Sequence, residues 1–424
     1  MQVKILPGIV VGTVNAPASK SAMQRACALA LLNAGTTLIM NAGTSNDDKA
    51  ALSIIKGLGA MVEEMEDSLK ITGLNTAADF NNGQPKAINC GESGLSIRMF
   101  TPIAALFHQP VNIIGSGSLL TRPMAFFDEV LPRLGVQVTT NNGYLPLQVN
   151  GPLQPTAIEV DGSLSSQFLT GLLIAFARSA SNTVTITVSD LKSRPYIDLT
   201  LQMMQHFGYR VINNQYESFT VHPANKITQQ LSYTVEGDWS GAAFLLVAGA
   251  IAGKTVVKGL DLNSAQADKA ILQALQAANA NLQLAANEII VETAALKAFH
   301  FDATHCPDLF PPLVALAACC EGTSTILGVS RLAHKESDRA LTLQEEFAKM
   351  GLIIELDGDM MSIHGSSNLK GAIVSSRHDH RIAMALATAA LKAEGETIIE
   401  DAEAINKSYP AFFDHLELLG VSVL

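Results

Sequence analysis

The residues best suited to chemistry in this chain are cations and hydroxyls placed where helices should begin. Lys20, Ser21 and Arg25 open the helical stretch SAMQRACALALLNA. Backbone N–H groups, a hydroxyl and two cations can there face one anion; a serine cap with solvated basic neighbours is the competing reading. In DGSLSSQFLTGLLIAFA, Ser165, Ser166 and Gln167 supply further donors at the positive end of a strongly apolar helix, or simply cap it. Ser193, Arg194 and Tyr196 in LKSRPYIDLTL can join the same wall, although Arg194 can equally stand exposed. Arg122 precedes a proline able to open a helix, where its guanidinium either forks onto an anion or lies on the surface.

The second half repeats the theme with carboxylates added. Lys335, Glu336 and Arg339 in HKESDRALTLQEEFAKMG put two cations on one helical face, which need an anion between them or solvent around them. Asp379, His380 and Arg381 precede a small-residue helix, and Lys407 lies in EAINKSYPAFF. Asp308 stands ahead of an apolar helix, where a carboxylate caps or acts as a base. These cationic clusters sit in a chain of net charge −11, which disfavours nucleic acid and acidic lipid and points to a small polyanionic ligand. No Cys/His spacing suits a metal, and neither a Walker loop nor a G-x-G-x-x-G fingerprint occurs, so no metal or organic cofactor is expected. The five cysteines contain no C-x-x-C pair and read as free buried thiols. The N-terminal stretch lacks the pattern of a cleaved leader, and the apolar run Ala242 to Ala252 is too short to span a bilayer. A cytoplasmic protein is the expectation.

A recurring ending shows what must hold these residues. Helix-like sequence, a glycine, a strand, a turn and a second strand recur near Gly59, Gly135, Gly208 and Gly351, with a degenerate copy near Ala280 and one cut short at Gly420. The spacing of about 70 to 75 residues exceeds that of common solenoids, so each copy is a small folding unit. Within a copy the order is strand, helix, strand, helix, hairpin, and the glycine supplies the left-handed cap of the second helix. With 424 residues, 48% of them hydrophobic, two domains of three copies each are expected. Re-entry into a helix at YTVEGDWSGAAFLL places the boundaries at 18–234 for one domain and 1–17 plus 235–424 for the other, with the first strand belonging to the C-terminal half. A small ligand is expected in the cleft between them.

The pieces PASKS with Arg25, CGESGLSIRMF, the Arg122–Pro pair, SSQFLT, SRPYIDLTL, the Pro–Asp of Asp308, HKESDR, DHRIAMA and NKSYPAFF occur in this order along essentially the whole chain. Together they resemble the enolpyruvyl transferase family, in the branch acting on shikimate 3-phosphate. The resemblance implies a two-domain inverse α/β architecture, each domain three βαβαββ repeats. It also implies a monomer that joins phosphoenolpyruvate (PEP) to the 5-hydroxyl of shikimate 3-phosphate without a cofactor. By the same resemblance, Lys20, Ser21, Arg25, Ser165, Ser166, Gln167, Ser193, Tyr196, Asp308 and Lys335 contact shikimate 3-phosphate. Lys20, Gly94, Arg122, Gln167, Arg339, Arg381 and Lys407 hold PEP. The reaction removes a proton from the 5-hydroxyl and adds one to the PEP methylene, then expels phosphate from a tetrahedral intermediate, so it needs a base and an acid. Asp308 is assigned as the base, with Lys20 and Glu336 delivering and returning the methylene proton.

One segment departs from the family. Its usual G-N-A-G-T-A is here Gly91, Glu92, Ser93, Gly94, Leu95 and Ser96, and Met99 replaces the proline after Arg98. The glycines that permit close backbone approach remain, while Glu92 either repels PEP or pairs with a neighbouring arginine. The sister branch acting on UDP-N-acetylglucosamine carries a reactive Cys ahead of the Arg122 position; GSGSLLTRPM has none. A non-catalytic anion-binding relative is the remaining alternative, with the altered loop its only support.

Overall fold

A computed structural model describes residues 1–66, 68–75, 77–81, 83–224, 230–286, 288–333, 335–365 and 368–424. His334, which opens the HKESDR motif, lies outside the described residues. The chain divides into two compact units. One is central, Ala18–Val235; the other is terminal, combining Met1–Pro17 with Glu236–Leu424.

The central unit contains α1 (Lys20–Leu32), α2 (Asn46–Leu58), α3 (Gly94–Ala104), α4 (Ala125–Val130), α5 (Ser166–Ser179) and α6 (Arg194–His206). Helices α1, α3 and α5 are apolar on almost every side, and they pack on one another as the core. Gly171 of α5 allows the closest approach: a Cβ there would come within 2.6 Å of the Met99 carbonyl oxygen of α3. By contrast α2 buries Ala51, Ile54, Ile55 and Leu58, the single stripe of a surface helix.

Three four-stranded sheets surround this core, and the third shows the common plan. Ile158–Asp161 runs parallel to Val184–Ser189, which pairs antiparallel with Ser218–Val221, whose hairpin partner Val211–Asn214 forms the edge. Alternate residues Ile158, Val160, Ile186, Val188, Phe219 and Val221 are buried. In the first sheet the leading place is taken by Leu231–Thr234, parallel to Thr36–Met40, so the chain's exit closes the unit.

The terminal unit repeats the plan with α7 (Trp239–Ala252), α8 (Ile271–Ala277), α9 (Phe310–Ala318), α10 (Arg339–Lys349), α11 (His380–Ala390) and α12 (Phe412–Leu418). Here α7, α9 and α11 form the buried trio. Two N-terminal strands, not one, belong to this half. Val10–Asn15 runs parallel to Gly253–Lys258, and Gln2–Ile5 pairs antiparallel with Thr397–Glu400. The last copy is therefore completed by the start of the chain, where Lys4 and Leu424 exchange N–H···O bonds at 2.8 and 2.9 Å and the Leu6 N–H donates to the Ser422 carbonyl at 3.1 Å, around the Ile5–Val423 bridge.

The six endings share one backbone device. Ala60, Val136, Tyr209, Ala280, Leu352 and Val421 each donate their N–H to a carbonyl five residues back, and the residue before each has positive φ. This is the Schellman closure. In the degenerate copy the left-handed residue is Asn279 (φ 61°), so the anchor lies one residue before Ala280; asparagine tolerates this conformation almost as glycine does.

The plan also fixes where functional residues can lie. Where two parallel strands are each followed by a helix, both helices start at the same end of the unit. Loops at that end are where α/β folds place ligands.

Candidate active site

In the central unit, Ser19 caps α1 by accepting the Ala22 N–H at 3.3 Å, so Ser21 is not the cap. Lys20 Nζ lies 3.0 Å from an Asp47 carboxylate oxygen at the start of α2. Arg25 is buried and ties α1 to α6: Nε donates to Thr200 Oγ1 at 2.9 Å, and the outer nitrogens donate to the carbonyls of Ser21 (2.8 Å) and Tyr196 (3.3 Å). Burial depresses its pKa to about 10, because none of those partners is a carboxylate. Its field therefore favours an anion at the start of α1.

Gly94 opens α3 under the Ser93 cap. A Cβ on Gly94 would fall 2.5 Å from Arg122 Nη1 and 2.9 Å from its Cζ, so the missing side chain makes room for the Arg122 guanidinium. Gly94 thus brings the start of α3 against the Arg122 guanidinium. Glu92 is packed beside Gly117, where a Cβ would come within 2.3 Å of its carboxyl group. Ser93 and Ser96 both donate to Gln24 Oε1, at 2.9 and 2.8 Å, which ties this loop to α1.

Ser165 caps α5 by accepting the Gln167 N–H at 3.2 Å, the modest role open to it from sequence; Ser166 is buried beside it. The Gln167 side chain is aimed by Arg98, whose Nη1 donates to Oε1 at 3.0 Å while its guanidinium covers the Phe168 ring. Ser193 precedes α6 in a left-handed conformation (φ 54°, ψ 45°), which is costly for a serine and occurs mostly where structure or function demands it. Arg194 is exposed over the Tyr216 ring.

The terminal unit joins its predicted residues into one network. Asp308, in a short turn of helix before α9, lies 3.2 Å from Lys335 Nζ, 2.9 Å from Arg339 Nη1 and 3.2 Å from Arg381 Nη2. Burial would raise its pKa, but Arg381, Lys335 and Arg339 together hold it well below the usual carboxylate range. Glu336 lies 2.7 Å from Arg339 Nη2 and 3.4 Å from Lys407 Nζ. Arg339, itself fully buried, reaches Asp379 through Nε at 2.9 Å; despite burial, Asp379, Glu336 and Asp308 raise its pKa and lock its charge. Asp379 also caps α11 by accepting the Arg381 N–H at 2.9 Å.

Several members carry no sequence signal of their own. Asp47, Gln24 and Arg98 act through Lys20, the 93–96 turn and Gln167, and each meets its partner only after folding. Asp268 is the least foreseeable. It is buried, accepts from Ser240 Oγ, and is pushed up to about 7 by burial and then by the Asp308 charge.

Residues 6–416 match EPSP synthase (3-phosphoshikimate 1-carboxyvinyltransferase). The chain belongs to that family. It is 35% identical to the 3-phosphoshikimate 1-carboxyvinyltransferase of Clostridium novyi, over 99% of this chain and 97% of the relative. Identity is 36% to that of Clostridioides difficile, over 98% and 97%. Among solved structures, EPSP synthase from Acinetobacter baumannii superposes with a TM-score of 0.82 at 26% identity, covering 100% of this chain and 99% of that one. The enolpyruvyl transferase NikO from Streptomyces tendae shares the fold at 16% identity, with a TM-score of 0.79 and coverage of 100% and 98%. As a member of the EPSP synthase family, the chain transfers the enolpyruvyl group of PEP to shikimate 3-phosphate in the shikimate pathway to the aromatic amino acids.

Proposed function

We propose that this reaction is carried by the helix-start residues of both units acting on one pair of substrates. The observation that carries the reading is the Asp308 cluster: a carboxylate held ionised by Lys335, Arg339 and Arg381, with Glu336 bridging Arg339 and Lys407. A carboxylate clamped by three cations is a weak base at rest. Substrate phosphate and carboxylate groups compete for the same cations and loosen the clamp, which restores basicity to Asp308 when the 5-hydroxyl is beside it. Lys20, held by Asp47, and Glu336, held between two cations, then deliver the proton to the PEP methylene and take it back as phosphate leaves. Arg122, Arg339, Arg381 and Lys407 hold PEP with Gly94 and Gln167, stabilising the charge that develops on carboxylate and departing phosphate. Ser21, Arg25, Ser165, Ser166, Ser193, Tyr196 and Lys335 hold shikimate 3-phosphate.

The working form in this reading is a cytoplasmic monomer. Its five free cysteines suit a reducing compartment, and among the described residues no helix is long and apolar enough to cross a membrane.

Phosphate release from PEP with shikimate 3-phosphate, UDP-N-acetylglucosamine or no acceptor tests the reading, with Asp308→Ala as control. Release only with shikimate 3-phosphate, lost in the variant, supports it. Full activity in Asp308→Ala removes the assigned base.

A further inference from the structure

A second buried charge cluster lies on α10 beyond the candidate site. Glu346 is seven residues after Arg339, hence on the same face of the helix, and is fully buried. Its Oε2 accepts the Ser375 N–H at 2.8 Å and Lys349 Nζ at 2.6 Å, and its Oε1 accepts Arg377 Nε at 2.9 Å. Burial alone would raise the Glu346 pKa; Lys349, the Ser375 N–H and Arg377 hold it below the ordinary value, so the group is ionised.

What this carboxylate grips is a strained segment. Arg377 (φ 50°) and His378 (φ 58°) are consecutive left-handed residues without a glycine between them, a conformation that persists only when its surroundings over-determine it. Ser375 Oγ and Ser376 Oγ accept the N–H groups of Arg377 and His378, each at 3.1 Å. The same hydroxyls donate to a carboxylate oxygen (3.1 Å) and the carbonyl oxygen (2.8 Å) of Asp401. The next residue is Asp379, which holds Arg339 and caps the helix bearing Arg381. One face of α10 therefore grips segment 375–379 at both ends, through Glu346 at Ser375 and through Arg339 at Asp379.

We infer that Glu346 is a positioning residue for the transfer reaction: by clamping Ser375 and Arg377 it holds segment 375–379 in the shape that sets Asp379, and through it Arg339 and Arg381, for PEP. The inference rests on the proposal that Arg339 and Arg381 hold PEP. Glu346 touches neither substrate in this account.

Steady-state kinetics of Glu346→Gln, Arg377→Ala, Lys349→Ala and Arg381→Ala, each with its melting curve, test the inference. Glu346→Gln is expected to raise KM for PEP about tenfold, the equivalent of roughly 1.4 kcal/mol, with a smaller loss of kcat and with KM for shikimate 3-phosphate nearly unchanged. Arg377→Ala changes an exposed side chain, so it folds, and it gives the same pattern more weakly. Lys349→Ala leaves Ser375 and Arg377 bound and leaves KM for PEP as it is. Glycine accepts the left-handed conformation without cost, so His378→Gly placed on Glu346→Gln lowers KM for PEP part of the way back. The inference is overturned if Glu346→Gln and Arg377→Ala keep the parent KM for PEP, or if they lose only kcat in proportion to unfolded protein. Arg381→Ala separates the two ideas: if it leaves KM for PEP unchanged, the site reading fails; if it raises KM while Glu346→Gln does not, only the clamp fails.

Discussion

Adding one methyl group at Gly94 should damage PEP binding while leaving the fold intact. An alanine Cβ there would lie 2.5 Å from Arg122 Nη1 and 2.9 Å from Cζ. Ordinary contact begins near 3.5 Å, so the guanidinium must retreat by about 1 Å. Misplacement of a positioning group by 1 Å can cost about 10²-fold, and a flexible arginine recovers part of that. Gly94→Ala is therefore expected to raise KM for PEP about 10- to 100-fold, with KM for shikimate 3-phosphate unchanged. Alanine is the better helix former by up to about 1 kcal/mol, so melting should not occur earlier. Initial rates of phosphate release against PEP concentration, at saturating shikimate 3-phosphate, measure the effect. An unchanged KM for PEP in a folded variant would refute the argument that Gly94 exists to seat Arg122.

Asp308→Asn keeps the size of the base and removes its proton affinity; kcat should fall by about 10² to 10⁴, read as phosphate release. Asp268, pushed up to about 7 by burial and the Asp308 charge, binds its proton more tightly folded than unfolded, where its pKa is near 4. Its contribution is therefore full below about pH 4 and is lost as pH rises towards 7. Asp268→Asn should flatten the decline of melting temperature across that window, and parallel curves would count against it. Asn279→Ala should destabilise the protein by about 1 to 2 kcal/mol in urea titration, since alanine adopts the left-handed conformation at a cost and loses the Asn279 Nδ2 bond to the Ala295 carbonyl. Unchanged stability there would contradict the Schellman reading of the degenerate repeat.

The repeats were legible because their closure depends on local backbone chemistry. A glycine after a helix and before an alternating strand announces a Schellman turn, and only where Asn279 stands in for glycine did the anchor slip by one residue. The start of the chain was harder. Gln2–Ile5 completes a sheet with Thr397–Glu400, and nothing in four residues reveals a partner nearly the whole chain away. Single site residues were legible by type and place, since cations at helix starts carry their reason in the helix dipole. Their wiring was not. That Arg25 reaches across to Tyr196 and Thr200, that Arg98 aims Gln167, and that Asp379 grips Arg339 are facts of packing between distant helices. Buried charge must find its counter-group wherever the fold brings one, and sequence spacing does not encode that meeting.

The central claim is that helix-start cations in both units serve one PEP. Calorimetric titration of PEP into protein saturated with shikimate 3-phosphate tests it most directly, comparing the parent with Arg122→Met in the central unit and Arg381→Met in the terminal one. The account predicts that each variant weakens PEP binding at least about tenfold, with shikimate 3-phosphate binding retained. Parent-like PEP affinity in either variant would contradict it.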